Sequence, residues 1–174
     1  MEALTPEIDV GIYWTGGAVF TGDRVHRFIL WRLWDASRGI IAFVGLNPSI
    51  ADAERADPTV RRCIRYALDG GFGGMIMLNF YSLVSTDPTA LKKRAFQGLA
   101  IDHPLNVQVI RSWSRFAALT VCSWGANIPK AASEEMIREN ITRPHYLKLT
   151  KNGIPSHPLY LKADLRPVPI EKGE

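Results

Sequence analysis

Cysteine is scarce in this chain. Cys63 and Cys122 are its two cysteines, they stand far apart, and no C-x-x-C spacing exists. That excludes a zinc knuckle or iron–sulfur centre built from cysteines alone, and both are expected as buried thiols. Long apolar runs are also missing: nothing approaches the roughly eighteen residues of a membrane span. The opening MEALTPEIDVG has neither the basic nor the apolar segment of a secretory signal. A cytoplasmic protein with no membrane partner is therefore expected. Internal repeats and low-complexity tracts are absent. His26 and His145 have no companion at metal-ligand spacing, and a site joining His157, Asp52 and Asp57 has no support in the pattern. No metal or other cofactor is expected.

What is present suits one core. A chain of 174 residues, 47% hydrophobic, is long enough for a single substantial domain, whereas two would each be small. One α/β domain over residues 1–174 is expected, with an N-terminal hairpin region over 1–37 and a loose tail over 166–174. The formal charge of +4 permits an anionic partner without demonstrating one.

Turn signals at Thr15-Gly16-Gly17 and Thr21-Gly22-Asp23, with the aromatic and branched RFILWRLWD, predict an antiparallel flap or edge hairpin. GIIAFVGLNP is a continuous apolar run closed by Gly and Pro, as in a strand buried on both faces. Asp57-Pro58 is a helix start, with Asp57 capping free amides and Pro58 at the first position. Val60, Cys63, Ile64, Ala67 and Leu68 then make an apolar stripe that ends at Asp69-Gly70-Gly71. GGMIMLNFYSLVS predicts a second buried strand, TALKKRAF a short helix, DHPLNVQVIRSWSR a Pro-initiated helix and FAALTVCSWG a third strand. In that Pro-initiated helix Leu105, Val109, Ile110 and Trp113 are the expected core positions. SEEMIRENI predicts a helix capped by Ser133, and HYLKLT and HPLYLK flank a turn at Lys151-Asn152-Gly153. Strands alternating with helices indicate an α/β sandwich with a largely parallel sheet.

Three of these strands end in small or polar residues: GLNPS (45–49), LNFYS (78–82) and CSWGAN (122–127). Ligands of open parallel sheets bind beyond the carboxyl ends of strands, so the three segments are expected to line one cleft, with PSHPLY (155–160) as a fourth wall. Asn47 either orients a water or a carbonyl-bearing substrate, or closes a turn before Pro48. Asn79 either reads a base edge or satisfies a neighbouring loop. His157, between Pro155 and Pro158, is placed to donate to an oxygen that gains charge or to act as acid or base. His103, just ahead of Pro104, reads as part of a helix cap. Phe80, Tyr81 and Trp124 either stack on a planar ligand or fill core and rim. Arg61, Arg62 and Arg65, like Lys92, Lys93 and Arg94, either meet phosphate or form solvated helix faces.

The motifs L-N-P-S-x-A-D, D-P-T-x-R-R-C and H-P-L-Y resemble those of an uncharacterised bacterial and phage domain family. More distantly, FVGLNPS, LNFYSLVSTDP, CSWG and SHPLY resemble, in that order, four motifs of the uracil-DNA glycosylase superfamily. This second resemblance implies a three-layer α/β/α sandwich with a mainly parallel central sheet. It implies hydrolysis of an N-glycosidic bond to a damaged or modified base, with nucleic acid or a nucleotide as partner. Asn47 would position the attacking water, helped by Asp52 or Asp57, and His157 would stabilise charge on the departing base. Asn79 would read that base, with Phe80 or Tyr81 at its face. Leu159 or Tyr160 would fill the gap left in a duplex, and Arg61, Arg62 and Arg65 would meet the backbone. Ser49 follows Pro48 where related branches carry Gly or Tyr, so base discrimination at that position is open. A non-catalytic nucleic-acid-binding module and a nucleoside or nucleotide hydrolase or transferase are the alternative functions.

Overall fold

The structure is a computed structural model that describes residues 4–52, 54, 56–87, 91, 94, 97 and 100–171. The helix expected over TALKKRAF, with Lys92 and Lys93, falls largely outside the described residues. Eight strands form one sheet: β1 (Leu4–Val10), β2 (Thr15–Thr21), β3 (Arg27–Leu33), β4 (Ile40–Gly45), β5 (Gly74–Asn79), β6 (Leu119–Cys122), β7 (Pro144–Tyr146) and β8 (Val168–Pro169). Their order across the sheet is β1-β2-β3-β5-β4-β6-β7-β8. Among the described residues the α-helices are α1 (Pro58–Asp69), α2 (Asn106–Phe116) and α3 (Lys130–Asn140), with a 3₁₀ turn at Pro158–Tyr160.

The expected mainly parallel sandwich of the glycosylase type is overturned. The sheet is mixed: β4 pairs in parallel with β5 and β6, and β6 with β7. The other four pairings, β1–β2, β2–β3, β3–β5 and β7–β8, are antiparallel. The reason lies in the connections. β1, β2 and β3 follow one another through short turns, which can join only antiparallel neighbours, whereas a parallel pair needs a long crossover. The N-terminal segment is antiparallel and lies at the sheet edge, as expected, but it comprises three strands, the last of them, β3, hydrogen-bonded to β5. The segment expected as a loose tail likewise contributes β8, and Ile170 N donates to Pro144 O at 2.8 Å.

Strand periodicity sorts the core onto two faces. Ile41 and Phe43 of β4, with Met75 and Met77 of β5, pack toward Val60, Cys63, Tyr66 and Ala67 of α1. Ala42 and Val44, with Ile76 and Leu78, pack toward Ile110 of α2 and Met136 and Ile137 of α3. Burying one such large side chain stabilises the fold by about 1.5–3 kcal/mol.

Helix boundaries follow local chemistry where that chemistry is strong. Asp57 caps α1, its Oδ1 accepting from Val60 N at 2.7 Å, and Pro58 opens the helix. Gly71, at φ +74, carries the chain out of it. Ser133 does not cap α3: the helix begins at Lys130 after Pro129, and Ser133 is buried within it. Its hydroxyl instead accepts from Trp124 Nε1 at 3.0 Å. The Pro-initiated helix begins at Asn106 and not Asp102, and Trp113 and Leu105, expected in the core, lie on its open side.

Candidate functional site

The central strands β5, β4 and β6 end side by side, at Asn79, Gly45 and Cys122. Their outgoing loops and the turn at Pro158–Tyr160 enclose a cleft of about 360 Å³, in the size range of small-molecule sites. Asn47, Ser49, Asn79, Trp124, His157, Leu159 and Tyr160 line it together, with Arg27, Thr59, Ser85, Thr86 and Asn127. The four segments expected to form one cleft all contribute to it.

Asn47 is held from one side. Its Nδ2 donates to Pro48 O at 3.0 Å, Ser85 O at 3.0 Å and Leu83 O at 3.4 Å. The amide hydrogens are thereby committed to backbone carbonyls, and the group left over is the side-chain carbonyl, an acceptor. Asn79 is fully buried. In the orientation that satisfies its neighbours, its amide nitrogen donates to Asn47 O at 3.3 Å and Leu78 O at 3.2 Å. Gly45 makes this approach feasible, because a Cβ there would lie 2.7 Å from Met77 Cε and 3.1 Å from the nearer amide atom of Asn79.

His157 precedes the 3₁₀ turn, and its Nδ1 accepts from Leu159 N at 3.4 Å. An accepting Nδ1 assigns the proton of the neutral ring to Nε2, the other nitrogen. Burial holds the imidazole below its ordinary pKa, with the Asp57 charge pulling the opposite way, so the neutral form prevails at neutral pH. Gly125, at φ +80, donates its N–H to Pro155 O at 2.9 Å. A Cβ on it would meet His157 Cβ at 3.3 Å. Only glycine combines that backbone conformation with so near a neighbour.

Ser49 donates to Asp57 Oδ2, so both carboxylate oxygens of Asp57 are engaged, one by this hydroxyl and one by the helix amide. Arg27 is the least expected member. It is 1% exposed, its Nη1 donates to Ala51 O at 2.6 Å, and its buried Nε has no partner. Desolvation pushes its pKa down to about 10, with Asp57 and Asp52 opposing and Arg32 adding to the fall. It still carries its proton at neutral pH.

Residues 27–159 match the family described as "Protein of unknown function (DUF1643)". The chain belongs to that family. No curated protein matches it. The DUF1643 span begins at Arg27 and takes in every cleft residue named above except Tyr160, while β1, β2 and β8 lie outside it.

Other candidates within the DUF1643 span sit apart from the cleft. Phe80 is in the core, with its ring edge-on to Trp124 at 5.4 Å and to Tyr81 at 5.0 Å. Trp124 itself reaches the cleft although it is 1% exposed. Asp52 accepts Arg32 Nη2 on its backbone carbonyl and Glu54 N on its carboxylate, and does not line the cleft. Arg61 Nη1 donates to Ala56 O at 2.6 Å, and Arg62 Nη2 donates to Leu161 O. Arg65 Nε pairs with Asp69 Oδ2 at 2.9 Å. All three thus have partners within the chain. His103 shapes the turn before α2 by accepting from Leu105 N at 3.2 Å, and His26 Nδ1 shares a hydrogen bond with Ser82 Oγ at 2.8 Å. Among the described residues no three His, Cys, Asp or Glu side chains gather as a metal ion would require, and no helix is long and apolar enough to cross a membrane.

Sequence reasoning missed Arg27, Ser85, Thr86 and Thr59. Arg27 carried a signal: a charge at the head of the apolar run RFILWRLWD. In a solvated edge hairpin such a charge is ordinary, and it becomes informative only once β3 is found inside the sheet.

Proposed function

We propose that the cleft binds a compound bearing a nucleobase and hydrolyses its N-glycosidic bond. The observation that carries this reading is the commitment of Asn47 Nδ2 to three backbone carbonyls. It leaves a fixed amide carbonyl in a cleft shared with a neutral, Nε2-protonated imidazole.

In the step envisaged, a water held by Asn47 Oδ1 adds its oxygen to the anomeric carbon. The carbon–nitrogen bond breaks, and its electron pair leaves with the base. His157 Nε2–H donates to the base oxygen on which that charge collects, a preorganised donor of the kind that stabilises developing oxyanions. The water's proton passes to solvent or to the departing base. Asn79, with its nitrogen turned to Asn47 O and Leu78 O, borders the cleft from beneath the Asn47 loop and would read the base edge. The motif order Asn47, Asn79, Trp124, His157 is similar to that of the uracil-DNA glycosylase superfamily and supports the chemistry. The sheet does not enter the argument, since fold alone does not fix function.

The test is release of free base, followed by chromatography, from nucleosides, nucleoside 5′-monophosphates and oligonucleotides. The bases are uracil, hypoxanthine and hydroxymethylated pyrimidines, with alkali treatment of the oligonucleotides to reveal abasic sites. Wild type is expected to release base from at least one of them, and His157→Gln to do so about 10²–10³-fold more slowly, the usual cost of one such donor. Binding without release on any substrate would refute hydrolysis and leave a binding module.

A further inference from the structure

We propose that the buried end of this cleft is a subsite for a terminal phosphate, with Arg27 as its anchor, and that the ligand is a small phosphorylated molecule such as a nucleoside 5′-monophosphate. The nucleoside half of this statement rests on the function proposed above; the phosphate half does not.

The argument begins with an unmatched charge. Arg27 is 1% exposed, yet among the described residues its guanidinium makes one hydrogen bond, from Nη1 to Ala51 O, and its Nε has none. It takes part in no ion pair within 4.0 Å among the described residues. Buried arginines are ordinarily matched by a carboxylate, because an uncompensated charge in the interior is costly. Two carboxylates lie near enough to act on its charge, Asp57 and Asp52, but neither pairs with it: Asp57 accepts from Val60 N and from Ser49 Oγ, and Asp52 from Glu54 N. A guanidinium in this position has spare donors arranged as a fork, the geometry that suits phosphate oxygens.

The surroundings fit an oxyanion as well. Thr59 and Thr86 bring hydroxyls to the same cleft and Asn127 an amide, whereas the Ser49 and Ser85 hydroxyl hydrogens are spent on Asp57 and on Asp87 O. The N-terminus of α1 is not the anion site, since the Asp57 side chain already takes the Val60 amide.

Burial also decides which phosphate. A phosphodiester carries a sugar on each side, and an arginine sunk to 1% exposure is out of reach of such a chain running over the surface. A terminal phosphate enters end-on. Arg61, Arg62 and Arg65 offer no alternative track for a backbone, being engaged with Ala56 O, Leu161 O and Asp69.

Inorganic phosphate and ribose 5-phosphate test the subsite without a base, so the outcome is separate from that of the base-release assay. In thermal unfolding, either ligand at about a hundred times its Kd is expected to raise Tm by roughly 5–10 °C. Arg27→Met should abolish that rise and, without ligand, unfold at or above the wild-type Tm, because it removes an unmatched buried charge. Arg27→Lys keeps the charge but loses the fork, and should weaken ribose 5-phosphate binding at least tenfold. A nucleoside 5′-monophosphate should bind at least tenfold more tightly than its nucleoside in the wild type only. The subsite would be overturned if neither phosphate shifts Tm, or if Arg27→Met lowers Tm and leaves the shift intact, which would make Arg27 a clamp on the loop at Ala51. It would also be overturned if a 5′-hydroxyl oligonucleotide bound as tightly as the monophosphate, with equal dependence on Arg27.

Discussion

Replacing Asn47 by aspartate exchanges a donor of two hydrogens for an acceptor of nearly the same size. Three carbonyls converge on Nδ2, Pro48 O and Ser85 O at 3.0 Å and Leu83 O at 3.4 Å. Two hydrogens can serve them as two full bonds with the third shared. At about 1 kcal/mol net for each full bond, Asn47→Ala should cost about 2 kcal/mol. Aspartate adds repulsion between its ionised oxygen and carbonyls that have lost their donor. Because the site is only half-buried, water moderates this, and the total should be about 3 kcal/mol at pH 7. In a domain of this size that lowers Tm by roughly 6–12 °C. The pH dependence has a definite sign. Facing carbonyls, the new carboxyl is easier to keep protonated folded than unfolded, so its folded pKa lies above the unfolded value of about 3.9. The deficit should be small below that value and grow as pH rises through the folded pKa. Urea unfolding of wild type, Asn47→Ala and Asn47→Asp at about pH 7 and about pH 4.5 measures both effects. An aspartate variant as stable as wild type at pH 7, or a deficit that fails to shrink in acid, would refute the assignment of Asn47 as a backbone-clamped donor.

Gly125→Ala should lose about 1–3 kcal/mol in urea unfolding, since φ +80 is strained for alanine and the added Cβ stands 3.3 Å from His157 Cβ; base release should fall with it. Asp57→Ala should cost about 1–2 kcal/mol through loss of the α1 cap, and a double-mutant cycle with Ser49→Ala should show coupling between the two. His157 has a folded pKa below its ordinary 6.5 through burial. The wild type should therefore keep its full stability above about that pH and lose some as pH falls toward the folded pKa. His157→Gln should flatten that part of the urea midpoint–pH curve, and an unchanged slope would show that the ring titrates alike folded and unfolded.

What could be read from the sequence was local. Asp57-Pro58 starts α1 because an aspartate cap and a first-turn proline act within four residues of each other. The gathering of segments 45–49, 78–82, 122–127 and 155–160 was legible too, since parallel strands buried on both faces announce themselves as continuous apolar runs whose ends must share an edge. Ser133 misled because a capping residue type inside a helix looks the same as one at its start. The deciding contact, Trp124 Nε1 to Ser133 Oγ, spans a strand end and a helix.

Residue pattern alone was enough for the buried strands β4, β5 and β6, the capped helix after the Asn47 loop, and the gathering of Asn47, Asn79 and His157 at one end of the sheet. That β3 lies against β5 and makes the sheet mixed came from long-range packing. Which strand an apolar segment pairs with depends on partners far along the chain, and an apolar run reports burial on both faces without naming its neighbours or their direction. The same placement turned Arg27 from an ordinary hairpin charge into a buried guanidinium at the cleft with no ion pair among the described residues, because burial and pairing are properties of the surroundings and not of the residue.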